Sequence, residues 1–133
     1  MYQIKRNHIV EELEIEDNGK VLHLDVDISV DEIIREYITA RVRMQGASQA
    51  AKKAKNENDL GKAEEAMGDA VISLFNIVFG QDNTKKILDF YDGKYIAMLE
   101  EISPFILEVV EPQVVEAQKR IEDRYKQVAK RGK

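Results

Sequence analysis

Cysteine is missing from the 133 residues, and with it go disulfides, thiolate metal sites and thiol catalysis together. Such a chain suits a reducing compartment. Long apolar runs are missing as well, so nothing here is expected to span a bilayer. Lys5, Arg6, His8, Glu11 and Glu12 occupy the region where the apolar core of a leader would have to lie, which makes the cytoplasm the expected location. Histidine occurs only as His8 and His23, and neither stands at ligand spacing to the other or to a carboxylate cluster, so no metal site is expected. The seven glycines form neither a Gly-Lys-Ser/Thr phosphate loop nor a Gly-x-Gly-x-x-Gly turn, so no cofactor is expected either. Asp25 and Asp27 share one face of a strand, but no apolar pocket is in sight to separate their pKa values, and no catalytic residue is assigned. The expectation is a protein that is not an enzyme.

What is present is the composition of a folded chain, 44% apolar and 34% charged, of a length that suits one domain over residues 1–133. The net charge of −5 hides a division. Between residues 11 and 27 stand Glu11, Glu12, Glu14, Glu16, Asp17, Asp25 and Asp27 against Lys20 alone. After Pro112, Lys119, Arg120, Arg124, Lys126, Lys130, Arg131 and Lys133 outnumber Glu116, Glu122 and Asp123. An asymmetry of this kind can serve nucleic acid, a membrane or head-to-tail self-association, or simply complement a solvated helix end.

The most apolar helical stretch runs from Leu60 to Gly80, and the rest of the chain is expected to pack around it. Leu60, Ala63, Met67, Ala70, Val71, Leu74, Phe75, Val78 and Phe79 recur at the three-and-four spacing of one helix face. Toward the C-terminal end the stripe widens to most of the circumference, so that end should be surrounded. Gly80 ends the helix, while Gly61 and Gly68 inside it suggest the close approach of another helix.

Upstream, two alternating runs flank Asn18-Gly19, the strongest short-range hairpin signal, because a type I′ turn needs positive φ at both central positions. That register places Ile15 opposite Leu22, Leu13 opposite Leu24 and Ile9 opposite Ile28, on a hairpin over about 9–28. The other face pairs Glu14 with His23 and Glu12 with Asp25. A two-stranded ribbon is marginal alone, so its apolar face must rest on helices or be extended by another chain. Ser29 with Glu32 predicts a capping box for a first helix whose buried stripe is Ile33, Ile34, Tyr37, Ile38 and Val42. Residues 46–54 are either helix with a thin apolar face or a mobile connection, and Asn58 or Asp59 is the expected cap of the central helix. After Gly80, Asp82 caps a short helix that exits at Asp92-Gly93 and folds back over Phe75 and Phe79. Ser103-Pro104 should stop, kink or restart the next helix, and Pro112 suits the first position of a last one with a narrow seam of Val114, Val115, Gln118, Ile121, Tyr125 and Val128. The fold class is α+β, mostly α: an N-terminal β-hairpin followed by a bundle of about four to five helices over about 29–131.

Leu74-Phe75-Asn76-Ile77-Val78-Phe79-Gly80, then Asn83-Thr84, Lys85-Lys86-Ile87 and the run from Tyr95 to Ile106, resembles the C-terminal half of the tail assembly chaperones of bacteriophages and prophages with long non-contractile tails. The likeness covers roughly Ala66 to Ile106, about a third of the chain, and departs from the family in the long basic helix after Pro112. It implies a non-structural helper that binds the tape measure protein, keeps it soluble and presents it to the tail tube protein, and that works as a homo-oligomer without nucleic acid or membrane. On this reading Tyr91, Tyr95, Met98, Phe105 and Val109 line a client groove, and Leu13, Leu24 and Val26 extend the sheet into a neighbouring subunit; ordinary core is the alternative for both sets. The competing function is a small nucleic-acid-binding or regulatory phage protein that uses Lys119, Arg120, Arg124, Lys126, Lys130 and Arg131 on the last helix.

Overall fold

The computed structural model describes the backbone of residues 8–131 and the side chains of residues 8–129. Lys5 and Arg6, and the side chains of Lys130, Arg131 and Lys133, on which the leader and nucleic-acid expectations partly rest, lie outside the described residues.

Two strands, β1 (His8–Asp17) and β2 (Lys20–Ser29), pair antiparallel around the Asn18-Gly19 turn, where φ is +51° and +81°. The register is the expected one, with Ile15 opposite Leu22, Leu13 opposite Leu24, Ile9 opposite Ile28, and Glu14 opposite His23. A one-residue slip of a strand would turn its inward apolar set, such as Leu24, Val26 and Ile28, to water, and that cost fixes the pairing. Leu24, Val26 and Ile28 are each 2% exposed because helices cover β2, whereas Leu13 and Ile15 on β1 are only half-buried.

Helix α1 (Val30–Lys53) starts at Ser29, but the Ser29 hydroxyl makes no cap bond and is buried without a hydrogen-bond partner, so the expected capping box does not form. The helix runs straight through residues 46–53, and its buried positions are Val30, Ile34, Tyr37, Ala40 and Ala47, with Val42 turned out to solvent. Alanine, not Val42, carries the seam because α1 folds back on α2 (Glu57–Phe79), whose Ala63 and Ala70 are also buried, and the two helices close on small side chains. The turn between them is capped by Asn56 instead of Asn58 or Asp59: its side-chain oxygen accepts from the Asp59 N–H at 2.8 Å. Leu60, at the first turns of α2, is exposed, while Val71, Leu74, Phe75, Val78 and Phe79 are buried as the widening stripe requires.

Gly80, at φ +84°, ends α2 and also stands at the cap of α3 (Gln81–Phe90), where its carbonyl accepts from the Thr84 N–H at 3.0 Å. Asp82 therefore lies in the first turn and does not cap it. Of the two interior glycines, only Gly68 meets a close neighbour: a Cβ there would lie 3.2 Å from the Tyr95 ring, while Gly61 faces open space.

Helix α4 (Tyr95–Phe105), a π-helical turn (Ile106–Val110) and α5 (Glu111–Arg131) follow one another without a break, so neither Pro104 nor Pro112 stops the helix. Pro104 leaves the Glu100 carbonyl without its backbone donor, and the Ser103 hydroxyl approaches that oxygen at 3.5 Å. Ahead of Pro112 the chain widens to the five-residue closure of a π turn, with the Glu111 N–H bonded to the Ile106 carbonyl, which relieves the crowding a proline ring brings to the preceding turn. Helix α5 lies antiparallel to α1: Glu111 meets Tyr37 and Arg41, and Arg120 comes within 3.9 Å of Asp31. One buried cluster draws on the ribbon, all the α-helices and the π turn, with Phe75, Ile87, Met98, Val110 and Val114 almost wholly enclosed.

Candidate functional site: an apolar groove beside the π turn

A groove of about 370 Å³ lies where the π turn meets α1 and α2. Met44 comes from α1, Met67 and Leu74 from α2, Leu99 from α4, and Ile106 and Leu107 from the π turn. Leu107, 61% exposed, stands on its lip. Two of the six are methionines, unbranched and polarizable, which adapt to irregular apolar partners.

One polar clasp closes an end of the groove. The Tyr37 hydroxyl donates to Glu111 Oε2 and the Arg41 guanidinium to Glu111 Oε1, so a single half-buried carboxylate ties the start of α5 to the middle of α1. Burial, and secondarily the Glu111 acceptor, hold the Tyr37 phenol protonated well above its ordinary range, with Arg41 opposing weakly. A second tyrosine works alike: the Tyr91 hydroxyl donates to Glu101, and burial first, then that carboxylate and the charge of Asp17, push its pKa up. Both contacts fasten the rod to the body and offer no nucleophile.

The expected client residues are elsewhere. Met98 is wholly buried and Tyr91 is 4% exposed, both within the core. Tyr95 lies over Gly68 and its hydroxyl donates to the Glu64 carbonyl at 3.1 Å; Phe105 stacks on Phe79 with ring centroids 5.9 Å apart; Val109 packs half-buried against the same cluster. None of the five lines the groove: Tyr91 and Met98 belong to the core, and Tyr95 and Phe105 rest on Gly68 and Phe79 of α2. Leu24 and Val26 are likewise covered by the chain's own helices, which leaves Leu13 as the one partly open member of the set expected to extend the sheet. The groove residues were hard to find in the sequence because they are spread over four segments; Met44 and Leu107, apolar residues at the edge of their stripes, were the available signal.

On the ribbon's outer face His8 Nδ1 lies 2.7 Å from Asp27 Oδ1, an exposed pair. Among the described residues no group of three or more His, Cys, Asp or Glu is placed to hold a metal ion, and no helix is long and apolar enough to cross a membrane. From residue 119 to 129, α5 is exposed on all sides, with Ile121, Tyr125 and Val128 among basic and acidic neighbours alike. Compared with protein-family models, with curated proteins and with solved structures, the chain matches none.

Proposed function

We propose that this chain is a non-enzymatic assembly chaperone of the phage tail class, which takes one face of a helical segment of the tape measure protein into the groove between α1, α2 and the π turn. The observation that carries the reading is that groove: an open, methionine-containing apolar hollow walled by helices. Its volume is at the low end for ligand sites and suits the i, i+3/i+4 and i+7 side chains of one helix face. The likeness of Leu74–Gly80 and the segments after it to tail assembly chaperones supplies the client class.

Co-expression with overlapping segments of the tape measure protein tests the proposal. Wild-type chain should keep at least one helical segment in the soluble fraction and co-purify with it. Leu107→Glu, which alters only an exposed lip residue, should leave the fold intact and abolish that effect. Tape segments that stay insoluble beside the wild-type chain, or are rescued equally by Leu107→Glu, would overturn it.

A further inference from the structure

We infer that the outer edge of β1 is a docking site for an extended, basic segment of another polypeptide, which adds to the ribbon as a third strand. The inference stands on the ribbon alone and is independent of what fills the groove.

The two-residue turn makes Asp17 and Lys20 the first hydrogen-bonded pair, and the pairs then alternate. Ile15, Leu13, Glu11 and Ile9 exchange bonds with β2, so the N–H and C=O groups of Val10, Glu12, Glu14 and Glu16 point away from it. The same alternation turns the Asp25 carbonyl out of the opposite edge, and there it accepts from Asn83 Nδ2 at 3.0 Å. Helix α3 thus occupies the β2 edge at its middle. No corresponding bond to the β1 edge is made by the described residues.

Burial points the same way. Helices enclose Leu24, Val26 and Ile28 on β2, but Leu13 and Ile15 are half-open, and Glu11, on the inner face opposite Val26, is exposed. A strand laid beside β1 would complete the cover over Leu13 and Ile15.

Charge selects the occupant. Glu11, Glu12, Glu14 and Glu16 are all exposed along β1, with Asp25 and Asp27 on the neighbouring strand. A second copy joined edge to edge would set Glu12 against Glu14 twice over, a like-charge match that costs free energy at each pair. The fitting partner carries Lys or Arg at alternate positions, facing the glutamates, and apolar residues between them, facing Leu13 and Ile15.

The test uses the full chain, ¹⁵N-labelled, with a short synthetic peptide of alternating lysine and valine, and with its glutamate–valine counterpart. The lysine peptide should slow hydrogen exchange at the amides of Val10, Glu12, Glu14 and Glu16 by about tenfold or more, in a manner that weakens with salt. The glutamate peptide should not. Glu14→Pro removes an outward N–H and no hairpin bond, so it should fold and lose the peptide; Glu12→Lys with Glu14→Lys should reverse the preference between the peptides, whether or not the proline variant folds. Failure of the lysine peptide to protect these amides, equal protection by the glutamate peptide, or an unchanged preference in the double-lysine variant would show the glutamates to be edge guards only and end the proposal.

Discussion

Gly61 and Gly68 lie on the same helix, seven residues apart, and the structure assigns them opposite responses to one methyl group. Alanine in place of glycine within a helix is worth about 0.8–1.0 kcal/mol from propensity alone. At Gly61 the new Cβ meets nothing within 4 Å, so the gain should appear nearly whole. At Gly68 the Cβ would sit 3.2 Å from Tyr95 Cε1 and 3.5 Å from two further ring atoms, while the Tyr95 hydroxyl is held by the Glu64 carbonyl. A ring tethered at its far end cannot slide freely, and overpacking of this kind costs about 1–3 kcal/mol, which cancels the propensity gain or exceeds it by up to about 2 kcal/mol. With an unfolding entropy of about 2.1 cal/mol/K per residue, the 133 residues give about 0.28 kcal/mol/K, so Gly61→Ala should raise Tm by about 3 °C. Gly68→Ala should leave Tm unchanged or lower it. Urea titrations and thermal melts of the two variants, read against Gly68→Ala combined with Tyr95→Ala, decide the matter. In the double variant the methyl should recover its helical gain, so the two changes couple favourably. If Gly61→Ala and Gly68→Ala stabilise equally, Tyr95 does not rest on Gly68 and the placement of α4 against α2 is wrong.

Glu111→Ala orphans both the Tyr37 hydroxyl and Arg41; because these groups keep some contact with water, the loss should be about 1–2 kcal/mol by urea denaturation, partly recovered in Glu111→Gln, whose amide oxygen still accepts from Arg41 while its NH2 donates to the Tyr37 oxygen. Tyr37 and Tyr91 have folded pKa values raised above the ordinary 10.0, so the stability they contribute is fully present below pH 10.0 and is lost as pH climbs through the raised values. Stability should therefore fall as pH rises past 10.0, a decline that denaturant titrations at pH 9, 10 and 11 measure and that Tyr37→Phe with Tyr91→Phe should lessen.

The ribbon was legible residue by residue. Asn18-Gly19 fixed the turn, alternation on both sides fixed the register, and Gly80 fixed the end of the most apolar helix, since each depends on backbone conformations or periodicities that neighbouring residues set locally. Caps were less so: Ser29, Asn58, Asp59 and Asp82 are all competent caps, and which residue serves depends on where packing starts the helix. The proline positions misled for a related reason. Pro104 and Pro112 each remove one donor, but a hydroxyl beside one carbonyl and a π turn before the other satisfy or relieve the backbone, and both remedies come from the surroundings.

Sequence alone determined the alternation of the strands, the placing of most helices and the identity of the most apolar helix, ending at Gly80, because hydrophobic period is a property of consecutive residues. Only the tertiary structure decided which apolar residues are spent on the core and which remain at the surface: Met98 and Phe105, seven apart, and Leu99 and Leu107, eight apart, both follow a helical period, yet the first two are enclosed or stacked and the second two border the groove. The reason is that a helix carries several apolar rows, and which of them faces solvent is set by the angle at which α1, α2 and the rod cross, a quantity written in no single segment.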